Sequence, residues 1–220
     1  MIYTVGGIKG GTGKTTIATN LAVFLSKRSK DVLLIDADDQ ETASDFTAWR
    51  EDRLKDKVGY TAIKLTGTSI YHQVKQLKEK YEFIVIDVGG RDTTSQRAAL
   101  GVSDVFLLPF QPRSMDFWTL TKVQKLLEEI RSGRDTELTA ISFLNRADVR
   151  GQDNIGSSEA LADCEGILFV DQPIVNRKAF ANASAIGLSV LELDPPDIKA
   201  AKEITALFNI LLMPKKPVTV

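Results

Sequence analysis

A glycine-rich segment near the N-terminus has the residue types of a phosphate-binding loop. It reads Gly6-Gly7-Ile8-Lys9-Gly10-Gly11-Thr12-Gly13-Lys14-Thr15-Thr16. Glycines allow the backbone to wrap an anion with inward-pointing N–H groups, and the start of a following helix adds partial positive charge. Lys14 is expected to neutralise the β- and γ-phosphates of a nucleoside triphosphate, while the Thr15 hydroxyl occupies a place on Mg²⁺. Thr16 is expected to contact the α-phosphate or to cap the helix.

One position departs from the strict form of this loop. The strict pattern has glycine five residues before Gly13, where this chain has Ile8. Gly6 and Gly7 lie just upstream and are expected to do part of the work of the missing glycine. A glycine-rich turn that binds nothing is the alternative. A strand, a loop, Gly-Lys-Thr and a helix nevertheless follow one another in the order that triphosphate binding needs.

Aspartates end two apolar runs, 32–35 and 83–87, that have the character of strands buried on both faces. Carboxylates at the C-terminal edge of parallel strands lie beside the first βα loop, where ligands bind. Asp87 is therefore expected to hold Mg²⁺ through water, as a hard oxygen ligand. Asp36 and Asp38 follow the other run. The alternative to a ligand-binding role for these two acids is that they cap the next helix.

Two adjacent glycines, Gly89 and Gly90, follow Asp87 after one intervening residue. Their backbone freedom predicts a flexible segment beside the γ-phosphate, in the place of a switch loop. Arg91 comes next, and two roles are open for it. It either stabilises charge on the phosphates or is a solvated loop residue.

Lys9 and the Gly10-Gly11 pair are the most informative residues of the loop. Residues 9–16 match Lys-Gly-Gly-x-Gly-Lys-Thr-Thr at every fixed position, and in this the chain resembles the ParA/MinD family of deviant Walker-A ATPases. The resemblance implies that Lys9 crosses a dimer interface to the partner's nucleotide. A cation donated in this way couples nucleotide binding to dimerisation, because two facing triphosphates need charge from both sides. A solvated loop lysine is the alternative.

The resemblance extends to the acids and to a later segment. Asp36-Ala37-Asp38-Asp39-Gln40 resembles the family's Asp-x-Asp-Pro-Gln, with Asp39 in place of proline. It implies that Asp36 helps to hold the magnesium shell and that Asp38 orients and polarises the attacking water. Residues 187–190 resemble the family's Gly-x-Pro-Val, with Ser189 in place of proline.

The stretch Asn145-Arg146-Ala147-Asp148 ends a strand-like run. Its order resembles the Asn-Lys-x-Asp guanine motif of small GTPases, with arginine for lysine. In ParA/MinD relatives, however, an Asn-Arg pair at this strand end contacts adenine. The resemblance therefore implies ATP rather than GTP, with Asn145 and Arg146 at the base. Pro173 begins a stretch, 173–180, that resembles the second base-flanking loop of the family.

An α/β fold is needed to bring these residues together. Short β-branched, apolar runs alternate with helical patterns, which predicts βα units and a mainly parallel sheet. The predicted strands are 2–5, 32–35, 61–65, 83–87, 105–109, 139–144 and 167–170, and the clearest predicted helices are 15–27, 116–130 and 197–212. The expected fold class is a P-loop three-layer sandwich, a twisted sheet with helices on both faces. We expect one ATPase domain, 1–213, followed by a flexible tail, 214–220.

Composition excludes several classes of function. The 220 residues carry a formal net charge of −1, so the protein is not a generally basic nucleic-acid binder. Cys164 is the only cysteine. An intramolecular disulfide is therefore impossible, and one thiol cannot hold an iron–sulfur cluster or a cysteine-rich zinc site. The sequence has neither a signal-peptide pattern nor a run of about 18 apolar residues, and a cytoplasmic protein is expected.

The resemblance covers nearly the whole chain and is nearest to short plasmid-partition ATPases without an N-terminal helix-turn-helix, a subgroup that Pro112 and residues 115–117 also match. It implies a switch in which ATP gives a sandwich homodimer and the dimer binds DNA non-specifically on the nucleoid. A ParB-like or small centromere-binding protein then triggers hydrolysis. The basic residues that could form the DNA surface, unless they are scattered solvated charges, are Arg146, Arg150, Arg177, Lys178, Lys199, Lys202, Lys215 and Lys216.

Three other functions remain open from the sequence. A MinD-like membrane-associated positioning ATPase would need a C-terminal amphipathic helix beyond the core, whereas helix 197–212 is expected to cover the sheet, so membrane contact is not expected. A ligase or phosphotransferase would need an acceptor pocket and would have no use for Lys9. A conjugation-accessory ATPase of the same family is nearly indistinguishable by sequence.

Overall fold

The computed structural model describes residues 1–29, 31–112 and 117–213. Strands and helices alternate through them, as expected for a chain built of βα units. In chain order they are β1 (Ile2–Val5), α1 (Lys14–Ser26), β2 (Val32–Ala37), α2 (Thr42–Leu54), β3 (Thr61–Lys64), α3 (Ser69–Leu77), β4 (Phe83–Val88), α4 (Thr94–Leu100), β5 (Val105–Phe110), α5 (Phe117–Ser132), β6 (Thr139–Ala147), α6 (Gln152–Ala162), β7 (Leu168–Phe169), β8 (Ile174–Val175), α7 (Lys178–Ser184) and α8 (Ile198–Leu212).

The sheet has the strand order β3-β2-β4-β1-β5-β6-β7, and β8 pairs separately with β6. The pairings among these described strands are parallel. The strand β1 therefore lies between β4 and β5, and the loop after it opens at the centre of the sheet edge. The predicted fold class, a mainly parallel sheet covered on both faces, is confirmed.

Alternate residues of the central strands enter different hydrophobic clusters, which explains why these strands read as continuous apolar runs. In β2, Val32 and Leu34 join the cluster formed with α1, α2 and α8. Leu33 and Ile35 point the other way and join the cluster formed with α3 and α4. A third cluster, on the β5–β6 side, is closed by α5 and α6. Helices thus cover both faces of the sheet.

Several boundaries differ from those that the sequence pattern predicts. The strands β2 and β6 extend to Ala37 and Ala147, beyond their predicted ends at residues 35 and 144. The strand predicted at 167–170 is shortened to β7, because only Leu168 and Phe169 pair with β6. The helix predicted from residue 116 is α5, whose first described residue is Phe117. Its predicted start at Asp116 lies outside the described residues, as does Met115 of the partition-subgroup match. The predicted tail, 214–220, also lies outside them.

The last helix belongs to the core of the fold. Its Ile204, Leu207 and Phe208 are fully buried, and the Phe208 ring packs on Phe24 of α1 with a centroid distance of 5.1 Å. The Asp197 side chain caps the helix by accepting a hydrogen bond from the Ala200 amide. Among the described residues, no helix is both long and apolar enough to cross a membrane.

Substitution of Phe208 by alanine tests this role of α8. The change removes a buried ring from the contact with α1, so we expect the free energy of unfolding to fall by about 3–5 kcal/mol. Urea titration followed by circular dichroism measures this loss. Ile198→Ala in the same helix is the matched control, because Ile198 is exposed and its loss should cost less than about 0.5 kcal/mol. Equal costs for the two variants would contradict a core role for α8.

Candidate nucleotide-binding site

The glycine-rich loop joins β1 to the first turn of α1. Gly13 precedes α1 with a φ of 86°, in the left-handed region that favours glycine. A Cβ atom at this position would lie 2.4 Å from Nδ2 of Asn145, so only glycine fits. The first turn of α1 therefore stands directly against the end of β6, with its unpaired N–H groups open to an anion.

A cleft of about 620 Å³ lies over this loop and is lined by the segments that follow β1, β2 and β4 and by the end of β6. It brings together most of the residues that the sequence predicts for a nucleotide. The predicted residues that line it are Gly10, Gly11, Gly13, Lys14, Thr15, Thr16, Asp38 and Arg146, accompanied by Gln40, Gly89, Gly90 and Arg91. The switch loop lies against the phosphate loop, because a Cβ on Gly90 would come within 2.8 Å of the Gly10 backbone.

Lys14 lies on the floor of this cleft. Its side chain is buried, and its ammonium group donates a hydrogen bond to the carbonyl oxygen of Lys9 at 3.0 Å. Burial lowers the pKa of Lys14, whereas the nearby carboxylates of Asp87 and Asp38 act in the opposite direction. An ammonium group held on the floor of the cleft can donate hydrogen bonds to phosphate oxygens there, because its side chain is already in place.

Asp87 ends β4 beneath the same cleft and is completely buried. Burial raises its pKa to about 7, opposed by the Thr15 hydroxyl close by. Neither of its carboxylate oxygens makes a hydrogen bond of normal geometry. Buried carboxylates without a donor are costly, and a hard divalent cation satisfies them. The surroundings of Asp87 and Thr15 therefore fit the expected magnesium ion.

Asp36 differs from Asp87 because its carboxylate already has protein partners. Its Oδ2 accepts hydrogen bonds from the backbone N–H and the hydroxyl of Ser44, at 2.7 and 2.6 Å. Its Oδ1 accepts one from the Asp38 N–H at 3.2 Å. Asp36 lies beside Asp87, paired with it across β2 and β4. Its place in a magnesium shell remains a prediction, and the structure shows a carboxylate that orients the Asp38 loop.

A complete protein-only metal site is not present among residues 1–29, 31–112 and 117–213, since no three His, Cys, Asp or Glu side chains cluster there. Magnesium typically keeps several waters and binds through one or two protein groups plus substrate phosphates. Thr15 and Asp87, with Asp36 close by, are the groups that would hold it here. Bound in this way, the ion would neutralise charge on the phosphate oxygens.

Asp38 faces the switch loop at the rim of the cleft. Its Oδ1 accepts a hydrogen bond from the Gln40 N–H at 3.1 Å. A Cβ on Gly89 would lie 3.2 Å from the same oxygen, so glycine leaves room for the carboxylate. Asp38 is half-buried. A carboxylate in this position can orient a water on the phosphate side of the cleft and accept a proton from it.

The residues predicted for the base occupy three different positions. Asn145 is buried, and its side-chain amide donates a hydrogen bond to the Thr12 carbonyl oxygen at 2.7 Å. Arg146 is exposed, adopts a φ of 55° and lines the cleft. Pro173 is half-buried and precedes β8, whose Ile174 pairs with Asn145. Asn145 thus supports the phosphate loop from below, and Arg146 is the member of the pair that faces the cleft.

Lys9 does not line the cleft that holds Lys14. It lines an adjoining cleft of about 670 Å³ together with Arg91, Trp118 and Lys122. Trp118 is 74% exposed. The two lysines of the loop therefore border different clefts, and a role for Lys9 separate from that of Lys14 remains a prediction.

Comparison with known proteins agrees with this geometry. Residues 3–190 match the profile of the family described as the CobQ/CobB/MinD/ParA nucleotide binding domain. The chain belongs to this family. It is an ATPase of the ParA/MinD type, as the sequence resemblance implies.

Individual relatives of this ATPase include proteins named for carboxysome distribution and for plasmid partition. The maintenance of carboxysome distribution protein A of Halothiobacillus neapolitanus is 26% identical over 206 residues, which cover 93% of each chain. An ATP complex of McdA from Cyanothece superposes with a TM-score of 0.78 at 17% identity, over 99% of this chain and 98% of that one. A plasmid partition protein from Borrelia burgdorferi, bound to AMPPNP, gives 0.74 at 21% identity, over 96% and 99%. These structural likenesses show the fold.

Two residues that support the ATPase site escape prediction from sequence. Ser44 orients Asp36 from the first turn of α2, and Gln96 of α4 lies fully buried with its Oε1 3.4 Å from the Gly7 amide nitrogen. A serine near a predicted helix start is a common cap, so a signal for Ser44 existed but indicated another role. Nothing in the local sequence distinguishes Gln96, because its contact joins residues 89 positions apart.

Substitution of Asn145 by alanine tests whether this residue supports the loop or reads the base. The change removes the bond to Thr12 and leaves that buried carbonyl unpaired, so we expect the dissociation constants of ATP and GTP to rise by similar factors, about tenfold. Titration with fluorescent analogues of both nucleotides measures this. Arg146→Ala is the companion variant on the cleft side. A loss confined to ATP in the Asn145 variant would assign that residue to adenine instead.

Proposed function

We propose that this ATPase is a molecular switch for DNA partition. ATP joins two copies in a sandwich dimer, the dimer binds DNA non-specifically, and a ParB-like or small centromere-binding protein stimulates hydrolysis. The observation that carries this proposal is the placement of Lys9, which lines a cleft beside that of its own Lys14. A lysine on that side suits a triphosphate in a facing subunit.

The chemistry at each nucleotide follows from the site. Lys14 and the N–H groups of the first turn of α1 bind the phosphates. Asp38, at the rim, orients the attacking water and accepts its proton. Gly89 and Gly90, packed against Asp38 and Gly10, respond to the γ-phosphate. Hydrolysis would remove the group on which both the switch loop and the facing Lys9 depend, so the dimer would separate.

Charge on the surface supports a DNA-binding role in the dimer more than in the monomer. Five of the candidate basic residues are exposed: Arg146, Arg150, Lys178, Lys199 and Lys202. Arg177 is instead paired with Glu203 of α8 at 2.5 Å, which neutralises it. Lys215 and Lys216 lie outside the described residues. Non-specific binding strengthens steeply with the number of phosphate contacts, so joining two such surfaces favours the dimer.

The cargo has a second candidate. Similarity to a carboxysome distribution protein favours a protein body as the positioned object, whereas similarity to a plasmid partition protein favours DNA. The switch is the same in both cases. A MinD-like membrane role is less favoured, because the apolar residues of α8, among them Ile204 and Phe208, are buried in the core.

ATP turnover in the presence of candidate effectors tests the function as a whole. We expect turnover to rise with non-specific duplex DNA together with the small DNA-binding protein encoded by a neighbouring gene. Retention on DNA by the ATP form should weaken steeply as salt increases. Stimulation by a small metabolite but not by DNA would contradict the proposal, and binding to anionic vesicles would favour the membrane alternative.

Asp38→Ala separates binding from hydrolysis. The carboxylate orients water and makes no contact needed for dimerisation, so we expect ATP hydrolysis to fall by about 100-fold or more while ATP-dependent dimers persist. Phosphate release and light scattering after size-exclusion chromatography measure the two properties. If dimers vanish together with hydrolysis, the role given to Asp38 is wrong.

Lys9→Ala addresses the contact between subunits. Because Lys9 serves the partner's nucleotide, we expect the ATP affinity of the monomer to change by less than about threefold, while ATP-dependent dimerisation and DNA retention are lost. The same chromatography, run with a non-hydrolysable analogue and magnesium, measures dimerisation. Lys27→Ala, at the far end of α1, is the matched control. Persistence of the dimer in the Lys9 variant would contradict the proposed role.

A further inference from the structure

A buried polar network joins α1, α2 and the segment 187–192. On the α1 side its central member is Asn20, which is 1% exposed. The Asn20 amide donates to the Thr16 carbonyl oxygen at 2.7 Å, and its Oδ1 accepts from the Ser189 hydroxyl at 2.7 Å and the Val190 N–H at 3.0 Å. The segment is thereby tied to the helix that begins at the phosphate loop.

On the α2 side the central member is Arg50, which is 2% exposed. Its guanidinium donates to the carbonyl oxygens of Val58 and Gly187, at 2.8 and 3.2 Å, and to both carboxylate oxygens of Glu192, at 2.7 and 2.9 Å. Glu192 also accepts from the Ser189 N–H at 3.0 Å. A planar cation with this many partners fixes position as well as charge.

Glu192 is the member of this network whose pKa the surroundings shift. Burial opposes ionisation of Glu192, but hydrogen bonds from Arg50 and from the Ser189 amide outweigh burial, and the pKa of Glu192 is lowered. The segment also touches α2 by its backbone. Gly187 has a φ of 67°, and a Cβ there would lie 2.3 Å from the Arg50 amide nitrogen. The segment 187–192 is therefore pressed against α2 without intervening side chains.

The other end of α2 reaches the nucleotide cleft. Ser44, six residues before Arg50 and about 9 Å from it along the helix axis, makes the two hydrogen bonds that hold Asp36. Asp36 in turn accepts from the Asp38 amide. Because the helix is a stiff element, a shift at Arg50 would be felt at Ser44 and at both aspartates.

We propose that Arg50, Glu192 and Asn20 are positioning residues that hold α2 in register with α1. They thereby keep Asp36 and Asp38 aligned with the phosphate loop. None of the three lines the nucleotide cleft, and they act through α2 and the segment 187–192. The inference rests on the roles proposed above for the two aspartates. It concerns the hydrolytic site of each subunit and is independent of cargo and of DNA.

Arg50→Met tests the inference, with Arg134→Met as the matched control. Arg134 also binds backbone carbonyl oxygens, those of Leu100 and Ser103, but it lies at the amino ends of β5 and β6, away from α2. In nucleotide-free full-length protein, amide hydrogen exchange of a peptide containing Ser44 reports on α2 directly. We expect exchange at Ser44 to accelerate by about tenfold and kcat to fall by about tenfold, with KM for ATP within about threefold of wild type.

The control separates positioning from general stability. Arg134→Met is expected to lower the melting temperature while leaving exchange at Ser44 and kcat within about twofold of wild type. The inference is overturned if Arg50→Met leaves exchange at Ser44 unchanged, or if the control accelerates it equally.

Gly187→Ala and Glu192→Gln provide a second route if the Arg50 variant does not fold. The first displaces α2 by steric contact without removing a charge, and the second weakens the ion pair without changing its shape. Both should accelerate exchange at Ser44, and wild-type exchange in both would overturn the inference. Exchange is read without nucleotide, so a failure of the proposed switch, seen as normal turnover in Asp38→Ala, is distinguishable from a failure of the positioning network.

Discussion

The burial of opposite charges under one loop is the constraint on which the site depends. Lys14 and Asp87 are both removed from solvent at the central strands of the sheet. Burial lowers the pKa of Lys14 and raises the pKa of Asp87, so it favours the neutral form of each group. Their mutual attraction offsets part of this cost, but the oxygens of Asp87 still make no hydrogen bond of normal geometry. A bound triphosphate and a divalent cation would supply partners to both groups. The fold therefore holds a site whose charges are best satisfied when it is occupied.

The parallel sheet explains why the site forms where it does. Because β1 lies between β4 and β5, the phosphate loop emerges beside Asp87 and, one strand further, Asp36. The end of β6 arrives from the other side and brings Asn145 beneath Gly13. Glycine at positions 13 and 90 lets these segments approach to distances that a side chain would prevent. Acids, loop and base-side residues thus converge from strands distant in sequence.

Family membership and geometry limit the function to different degrees. The match over residues 3–190 establishes an ATPase of the ParA/MinD type. The proposed dimer rests on Lys9, which lines the adjoining cleft. The relatives include proteins named for carboxysome distribution and for plasmid partition. The proposed positioning role depends on surfaces outside the cleft. These surfaces include the exposed lysines of α7 and α8 and the cleft beside Trp118.

Contiguous residues alone predict the phosphate loop, the acids at the strand ends and the parallel α/β architecture, because each has a local period or spacing. The additional lysine of the loop, Lys9, is predicted in the same way. The hydrogen-bond partners of the polar groups, in contrast, depend on the tertiary structure. The side-chain amide of Asn145 donates to the Thr12 carbonyl oxygen, and Asp36 accepts from the Ser44 N–H. Arg50 of α2 donates to Glu192, which lies 142 positions later in the chain. Each buried polar group needs a hydrogen bond, and its partner comes from whichever distant element packs beside it in the core. No local sequence pattern shows which elements these are.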